Sequence, residues 1–292
     1  MSLPVKNVNK SFGTKKVVDN LSFELNKPGV FGLLGTNGAG KTTSIRMILG
    51  IIKKDSGEIS FNGKSVTRKN VNFGYLPEER GLYPKSKIYD QLMYFANLKG
   101  MSKVDGDKAI RYWLDKLKVS EYINYTAEKL SKGNQQKIQF ITAVLHNPDL
   151  IVLDEPFSGL DPVNTEILSN VIKELISEGK YIIMSSHQMN SVEEFCTDLV
   201  ILNRGKTVLK GNLKDIKSSY NSSKVLVETD DNIDSIIKKL KLNILSSNDG
   251  VYIIENSNKD LLKELCDNNI NVSRYEIVKP SLHEIFIEKV GE

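Results

Sequence analysis

The sequence predicts an α/β fold, a mixed sheet with helices and a helical insert, followed by a small α+β unit of ferredoxin-like type. Three observations carry that prediction. A continuous apolar run at residues 30–34 feeds straight into glycines and then into helical spacing, the order strand, glycine loop, helix. Strand and helix patterns alternate again between residues 138 and 185, the mark of a parallel sheet flanked by helices. After a Lys-, Ser- and Asn-rich stretch at residues 216–223, which reads as a linker, shorter patterns run β-α-β-β-α-β with one further helix.

Taken in order, the short alternating runs at residues 5–8, 17–18 and 21–25 read as antiparallel strands. Residues 30–34 form a strand buried on both faces, and residues 44–49 have helical spacing that stops at Gly50. Residues 59–61 and 73–76 read as strands. From about 87 to 130 the spacing is helical, with Ile88, Leu92, Tyr94, Phe95 and Leu98 on one segment and Ile110, Trp113, Leu114 and Leu117 on another. Most of these are expected to form a core stripe between packed helices. Helix at 138–145, strand at 150–153, helix at 165–177 and strand at 181–185 follow.

Beyond the linker, strands are expected at 225–227, 244–245, 251–254 and 272–278 and helices at 233–240 and 261–266. Asn248-Asp249-Gly250 is a hairpin turn signal, and capping boxes pair Ser257 with Asp260 and Ser281 with Glu284. At 292 residues the chain exceeds a typical domain of about 100–150 residues. Two domains are expected: 1–217, with a helical subdomain at about 85–135, and 223–292.

Composition excludes several classes. Forty Lys+Arg against 36 Asp+Glu leave a net charge of +4. The isoelectric point of about 8.7 lies below the values above about 9 typical of nucleic-acid-binding domains, so no nucleic-acid partner is expected. With 40% hydrophobic residues and a mean hydropathy of −0.27, the chain is neither disordered nor membrane-embedded in character. No apolar run approaches the roughly 18 residues that span a bilayer. The opening MSLPVKNVNK lacks the pattern of a signal peptide, so a cytoplasmic location is expected. Cys196 and Cys266 stand apart without metal-ligand or disulfide spacing.

Two segments carry chemistry. Gly35, Thr36, Asn37, Gly38, Ala39, Gly40, Lys41 and Thr42 fit the phosphate-loop pattern of Gly, four residues, Gly, Lys, then Ser or Thr, and Thr43 continues into the helix. The glycines let backbone N–H groups turn toward phosphate oxygens, and Lys41 neutralises charge on the β and γ phosphates. Thr42 offers a hydroxyl to Mg²⁺. Residues 150–155 form an apolar strand ending in Asp154 and Glu155, which strand alternation and the turn at Pro156 aim in different directions. Asp154 is placed to hold Mg²⁺ and Glu155 to polarise an attacking water.

The stretch Leu130-Ser131-Lys132-Gly133-Asn134-Gln135-Gln136-Lys137 resembles the LSGGQ signature of ABC transporter ATPase subunits, placed just before the carboxylate strand as in that family. The resemblance extends over about residues 1–215 and implies a P-loop NTPase core. It implies that Phe12 stacks on adenine, that residues 158–161 form the D-loop with Asp161, and that His187 contacts the γ phosphate. It further implies ATP and Mg²⁺ as cofactors and a head-to-tail dimer, either a homodimer or a heterodimer with a second ATPase subunit. In that dimer Ser131, Gly133 and Asn134 of one copy meet the nucleotide of the other. A separate transmembrane permease subunit would hold the assembly on the inner face of the cell membrane. A soluble ABC ATPase acting on DNA or ribosomes is the alternative.

Two departures from the family pattern stand out. Lys132 and Asn134 replace Gly and Gln in the signature, and Glu78 stands where the Q-loop Gln is common. As a hard oxygen ligand Glu78 fits Mg²⁺, but it adds negative charge beside Asp154 and Glu155. The other reading of Glu78 is an exposed loop residue, with Gln supplied from elsewhere. LPEERGLYP at residues 76–84 resembles the NatA-like branch of sodium and drug exporters, as does the C-terminal unit.

Overall fold

The computed structural model describes all residues except 68, 80, 221–223, 256–259 and 292. Alternating burial pairs β1 (Leu3–Phe12) with β2 (Lys15–Leu25) in antiparallel fashion. The expected runs at 17–18 and 21–25 are one strand. Asn7 and Asn20, in left-handed conformation, lie where its pairing register shifts. Every residue of β3 (Gly29–Gly35) is buried, and it leads into α1 (Lys41–Ile48). Strands β4 (Ser56–Phe61) and β5 (Lys64–Ser65) extend the antiparallel side, and β6 (Phe73–Leu76) follows.

The insert consists of α2 (Ile88–Leu98) and α3 (Lys103–Lys116), then two single 3₁₀ turns at Ser120–Tyr122 and Ala127–Lys129. Ile88, Leu92, Ile110, Leu114 and Leu117 are buried as expected. Tyr94 and Leu98 are not: they are half or more exposed and leave the expected core stripe.

Next come α4 (Lys132–Val144), β7 (Leu150–Asp154), α5 (Pro162–Ser177), β8 (Tyr181–Ser185) and α6 (Met189–Phe195). The hairpin of β9 (Cys196–Asn203) and β10 (Lys206–Asn212) was not foreseen. Its two-residue turn, Arg204 and Gly205, has positive φ at both positions, the twist that hairpins favour.

The strand order is β5-β4-β1-β2-β10-β9-β3-β8-β7-β6, with β9, β3, β8, β7 and β6 parallel. Four of these neighbours therefore end at one edge of the sheet. There β3 delivers the glycine loop, β8 His187, β7 Asp154 and Glu155, and β6 Glu78. Helix α4 lies close against β6. A Cβ on Gly74 would sit 1.9 Å from the carbonyl oxygen of Ala143, so only glycine admits that approach.

The chain divides into two compact units, one of residues Met1–Leu213 joined by the C-terminal residues from Lys289, the other Lys214–Glu288. The stretch expected as a linker is in part helical, as α7 (Leu213–Ser219), while residues 221–223 lie outside the described residues. The second unit holds β11 (Lys224–Thr229), α8 (Asp234–Leu240), β12 (Asn243–Asn248), β13 (Val251–Glu255), α9 (Leu261–Asp267), β14 (Val272–Val278) and the start of α10 (Leu282–Gly291). Its antiparallel order β12-β13-β11-β14 is the ferredoxin-like arrangement, closed over an apolar cluster that includes Val227, Ile254 and Leu261. Ser281 and Glu284 form the expected capping box at α10. Ser257 of the other expected box lies outside the described residues, and Asp260 caps α9 without a side-chain hydrogen bond.

Candidate functional site

Steric necessity shapes the loop after β3. Gly38 and Gly40 have φ of +76° and +102°, and a Cβ on Gly40 would lie 2.6 Å from the carbonyl oxygen of Val17. Thr36, Asn37 and Gly38 are exposed, and Ala39 is buried beneath them. Lys41 lies across the loop, donating to the carbonyls of Gly35 at 2.8 Å and Thr36 at 3.2 Å. The first turn of α1 contains no acidic residue and no side-chain cap, so its N–H groups face a position suited to an anion. Thr43 is half-buried in that turn.

The two carboxylates diverge. Asp154, almost fully buried, accepts a hydrogen bond from the Ser185 hydroxyl and lies 3.5 Å from Thr42 Oγ1. Burial pushes its pKa up; the Ser185 bond opposes this, and the negative charge of Glu78 adds to it. Glu155 adopts a left-handed backbone, φ +52°, a conformation costing about 1–3 kcal/mol outside glycine. That turn swings its carboxylate to 2.9 Å from His187 Nδ1 and 3.5 Å from the Ser186 hydroxyl. Burial raises the Glu155 pKa too, against the pull of His187 and Lys41.

A second group gathers at the start of α4. Ser131 caps the helix, its hydroxyl accepting from the Asn134 N–H at 3.3 Å. Buried Gly133 lies beside Leu160, Gly159 and Asn164, and Lys132 is exposed. Asp161 caps α5 by accepting from the Asn164 N–H at 2.9 Å. Buried Lys137 joins these two helices through Asn164 at 2.7 Å, and desolvation lowers its pKa. Among the described residues no hydrogen bond or ion pair links Ser131, Gly133, Asn134 or Asp161 to the glycine loop. Phe12 is exposed at the end of β1, under the Lys10 ammonium. Glu78 is exposed after β6.

Sequence reasoning missed Ser185 as the partner of Asp154, and Gln136 and Gln139 inside α4. Gln136, Lys137 and Gln139 are all buried, yet α4 also carries Lys132, Asn134 and Gln135, so no sequence signal sets the three apart.

Comparison with known proteins identifies the arrangement. Residues 18–158 match the ABC transporter family, and residues 211–290 match the C-terminal domain of DrrA1-3-like ATP-binding proteins. The chain is 46% identical to the uncharacterized ABC transporter ATP-binding protein YhaQ of Bacillus subtilis, over 99% of this chain and 98% of that protein. The chain belongs to the ABC transporter ATP-binding protein family. ATP hydrolysis is the general activity of these ABC ATPases. The linearmycin resistance ATP-binding protein LnrL of the same bacterium is 29% identical over 99% of this ABC ATPase and 98% of its own length. A solved ATP-binding subunit of an ABC transporter superposes with a TM-score of 0.69 at 30% identity, covering 75% of this chain and 93% of that one.

The residues fit an ATP–Mg²⁺ complex. The glycine loop is a backbone cradle for phosphate, and Thr42 with Asp154 forms a small all-oxygen donor set of the kind Mg²⁺ takes beside phosphates and waters. Among the described residues no three His, Cys, Asp or Glu side chains gather as a metal site. Glu78, Asp154 and Glu155 thus do not form a ready carboxylate cage.

Proposed function

We propose that this chain is the ATP-binding and hydrolysing motor subunit of an ABC exporter. Two ATPase domains would work head to tail, coupled to a separate transmembrane permease on the cytoplasmic face of the membrane. The observation that carries this is the convergence of Lys41, Thr42, Asp154, Glu155 and His187 at one edge of the parallel strands. The separation of Ser131, Gly133, Asn134 and Asp161 from that edge supports a site completed by a second copy. Among the described residues no helix is long and apolar enough to cross a membrane. Export as the direction rests on the likeness to the Nod factor export ATP-binding protein I of Paraburkholderia xenovorans, 32% identical over 70% of this chain and 68% of that protein.

In this reading residues 1–217 are the ATPase domain, with a helical subdomain at about 85–135, and residues 223–292 an accessory domain of the NatA-like branch. Phe12 stacks on the adenine. Lys41 releases the loop carbonyls and turns to the phosphates, while the N–H groups of residues 36–43 surround them. Thr42 and Asp154, with Glu78 nearby, would hold Mg²⁺, which would supply positive charge against the phosphates. Glu155 accepts a proton from the attacking water, and His187 fixes the Glu155 carboxylate and faces the γ phosphate. The test is Glu155→Gln: the variant should bind ATP and form an ATP-dependent dimer, seen by light scattering, that outlives the wild-type one. A variant that stays monomeric with ATP would overturn the head-to-tail reading.

A further inference from the structure

The Glu78 loop is held by one side chain that the proposed chemistry does not use. Gln139 is 2% exposed in the middle of α4. Its Nε2 donates to the carbonyls of Pro77 at 3.0 Å and Glu79 at 2.9 Å, and its Oε1 accepts from the Gly81 N–H at 3.3 Å. The carbonyls on either side of Glu78 are thus tied to the same amide nitrogen. One turn earlier on the same helix, buried Gln136 donates to the carbonyls of Glu155 at 3.4 Å and Pro156 at 3.1 Å. The close approach of Ala143 to Gly74 seats α4 on β6, the strand that ends in the Glu78 loop.

A buried primary amide is costly unless its donors and acceptor are matched, and a leucine or methionine would pack there without that requirement. Its hydrogen-bonding capacity is directed at a single exposed loop. That loop leaves β6 beside Asp154: β6 and β7 pair in parallel with Leu76 opposite Leu153, the residue before Asp154.

We infer that Gln139 is a positioning residue that fixes the backbone at Pro77, Glu79 and Gly81 so that Glu78 stays at the Asp154 end of the strands. With Gln136 it makes the helix beginning at Ser131 the element that holds both acidic loops. The inference rests on the reading of Asp154 and Glu78 as neighbours of the nucleotide-bound Mg²⁺. Displacement of the start of α4 by a second copy would then move Glu78 and Glu155 together.

The test uses the full chain and a fluorescent ATP analogue, with the Kd measured in EDTA and in saturating Mg²⁺. The negative charge of Glu78 disfavours nucleotide without the cation, so Glu78→Gln should lower the ratio of the two Kd values. Gln139→Met, which keeps volume, should lower it in the same direction by about threefold or more, the scale of coupled neighbours. The double variant should show no further fall beyond Glu78→Gln alone. Amide exchange at Gly81 should quicken in Gln139→Met and stay slow in Glu78→Gln. If Gln139→Met destabilises the fold, Gln139→Leu gives a second hydrophobic replacement.

A merely structural role would weaken binding equally with and without Mg²⁺, and additively with Glu78→Gln; that result overturns the proposal. Unchanged exchange at Gly81 in both Gln139 variants overturns it as well. If Glu78→Gln alone leaves the ratio unchanged, the Mg²⁺ reading of Glu78 fails and the positioning role falls with it. In that case quickened exchange at Gly81 still marks Gln139 as the clamp of the loop, which separates the two failures.

Discussion

Glu155→Gln should have two effects of opposite sign, both worked from the geometry of one side chain. The glutamine keeps the shape of a residue that is 5% exposed and removes its charge. Loss of a general base costs about 10²–10⁴ in rate, or about 3–5 kcal/mol of barrier. Stability should move the other way. Burial raises the Glu155 pKa in the folded chain, so ionisation there is dearer than in the unfolded chain, and stability falls as pH rises through the carboxylate range toward the folded value. Each tenfold change in proton affinity is worth about 1.4 kcal/mol. The contact with His187 opposes this gain, but that imidazole is 63% exposed, and such pairs contribute about 0–1 kcal/mol. Nucleotide-free Glu155→Gln, in EDTA, should therefore melt above wild type at pH 7–8 and converge on it below pH 4. Thermal melts over a pH series and a phosphate-release assay read both effects. Wild-type turnover would remove Glu155 as base, and a variant melting below wild type at pH 8 would refute the burial argument.

Gly74→Ala should cost about 3 kcal/mol, the upper part of the overpacking range, because its Cβ meets backbone rather than a yielding side chain. Urea unfolding checks this, and a loss under about 1 kcal/mol would contradict the close approach. Glu284 accepts from Lys224 at 2.6 Å and from the Ser281 N–H at 2.8 Å, which draws its pKa down to about 2. Its stabilisation is present above the ordinary carboxylate value and fades as pH falls from about 4.5 to 2. Because the ion pair is exposed, Glu284→Gln should cost only about 1 kcal/mol at pH 7 and nothing at pH 2, by chemical denaturation. Lys132 places a cation in the first turn of α4, where the first turn holds no acid and the helix dipole disfavours positive charge by about 0.3–1 kcal/mol. Lys132→Gln should raise nucleotide-free stability by that order and weaken ATP-driven association, read by melting and light scattering.

What was legible in the sequence followed from local signals. The strand, glycine loop and helix at residues 29–48 could be read because apolar continuity, glycine and helical spacing abut without a gap. Asp154 and Glu155 could be read because they end an apolar strand. The βαββαβ order could be read because Asn248, Asp249 and Gly250 punctuate it and because each strand carries its own apolar residues. The hairpin of β9 and β10 escaped, since β10 holds no fully buried residue and is mostly polar, and its turn signal is the weaker Arg204-Gly205. Gln136, Lys137 and Gln139 escaped for the opposite reason. Polar residues on a helix are ordinarily its solvated face. Here that face is buried because its hydrogen-bond partners come from loops near residues 79 and 156 and from Asn164 on α5, which only the tertiary fold brings within reach.

The same fold explains why the acidic loops are held from behind rather than by each other. Asp154 and Glu155 are adjacent, buried and both raised in pKa, so their mutual repulsion and desolvation work against the nucleotide-free chain. Neutral amides from α4 grip backbone carbonyls, and the positive charge already near the carboxylates, that of Lys41, only partly offsets their desolvation. The remaining cost is relieved by further positive charge arriving at that edge of the sheet. A ligand that binds the folded state alone stabilises it in proportion to the logarithm of its concentration over its Kd, so an uncomfortable site and a responsive site are the same property here. Glu155→Gln should therefore gain stability without nucleotide for the reason it should lose turnover: it removes a buried charge that the proposed chemistry uses.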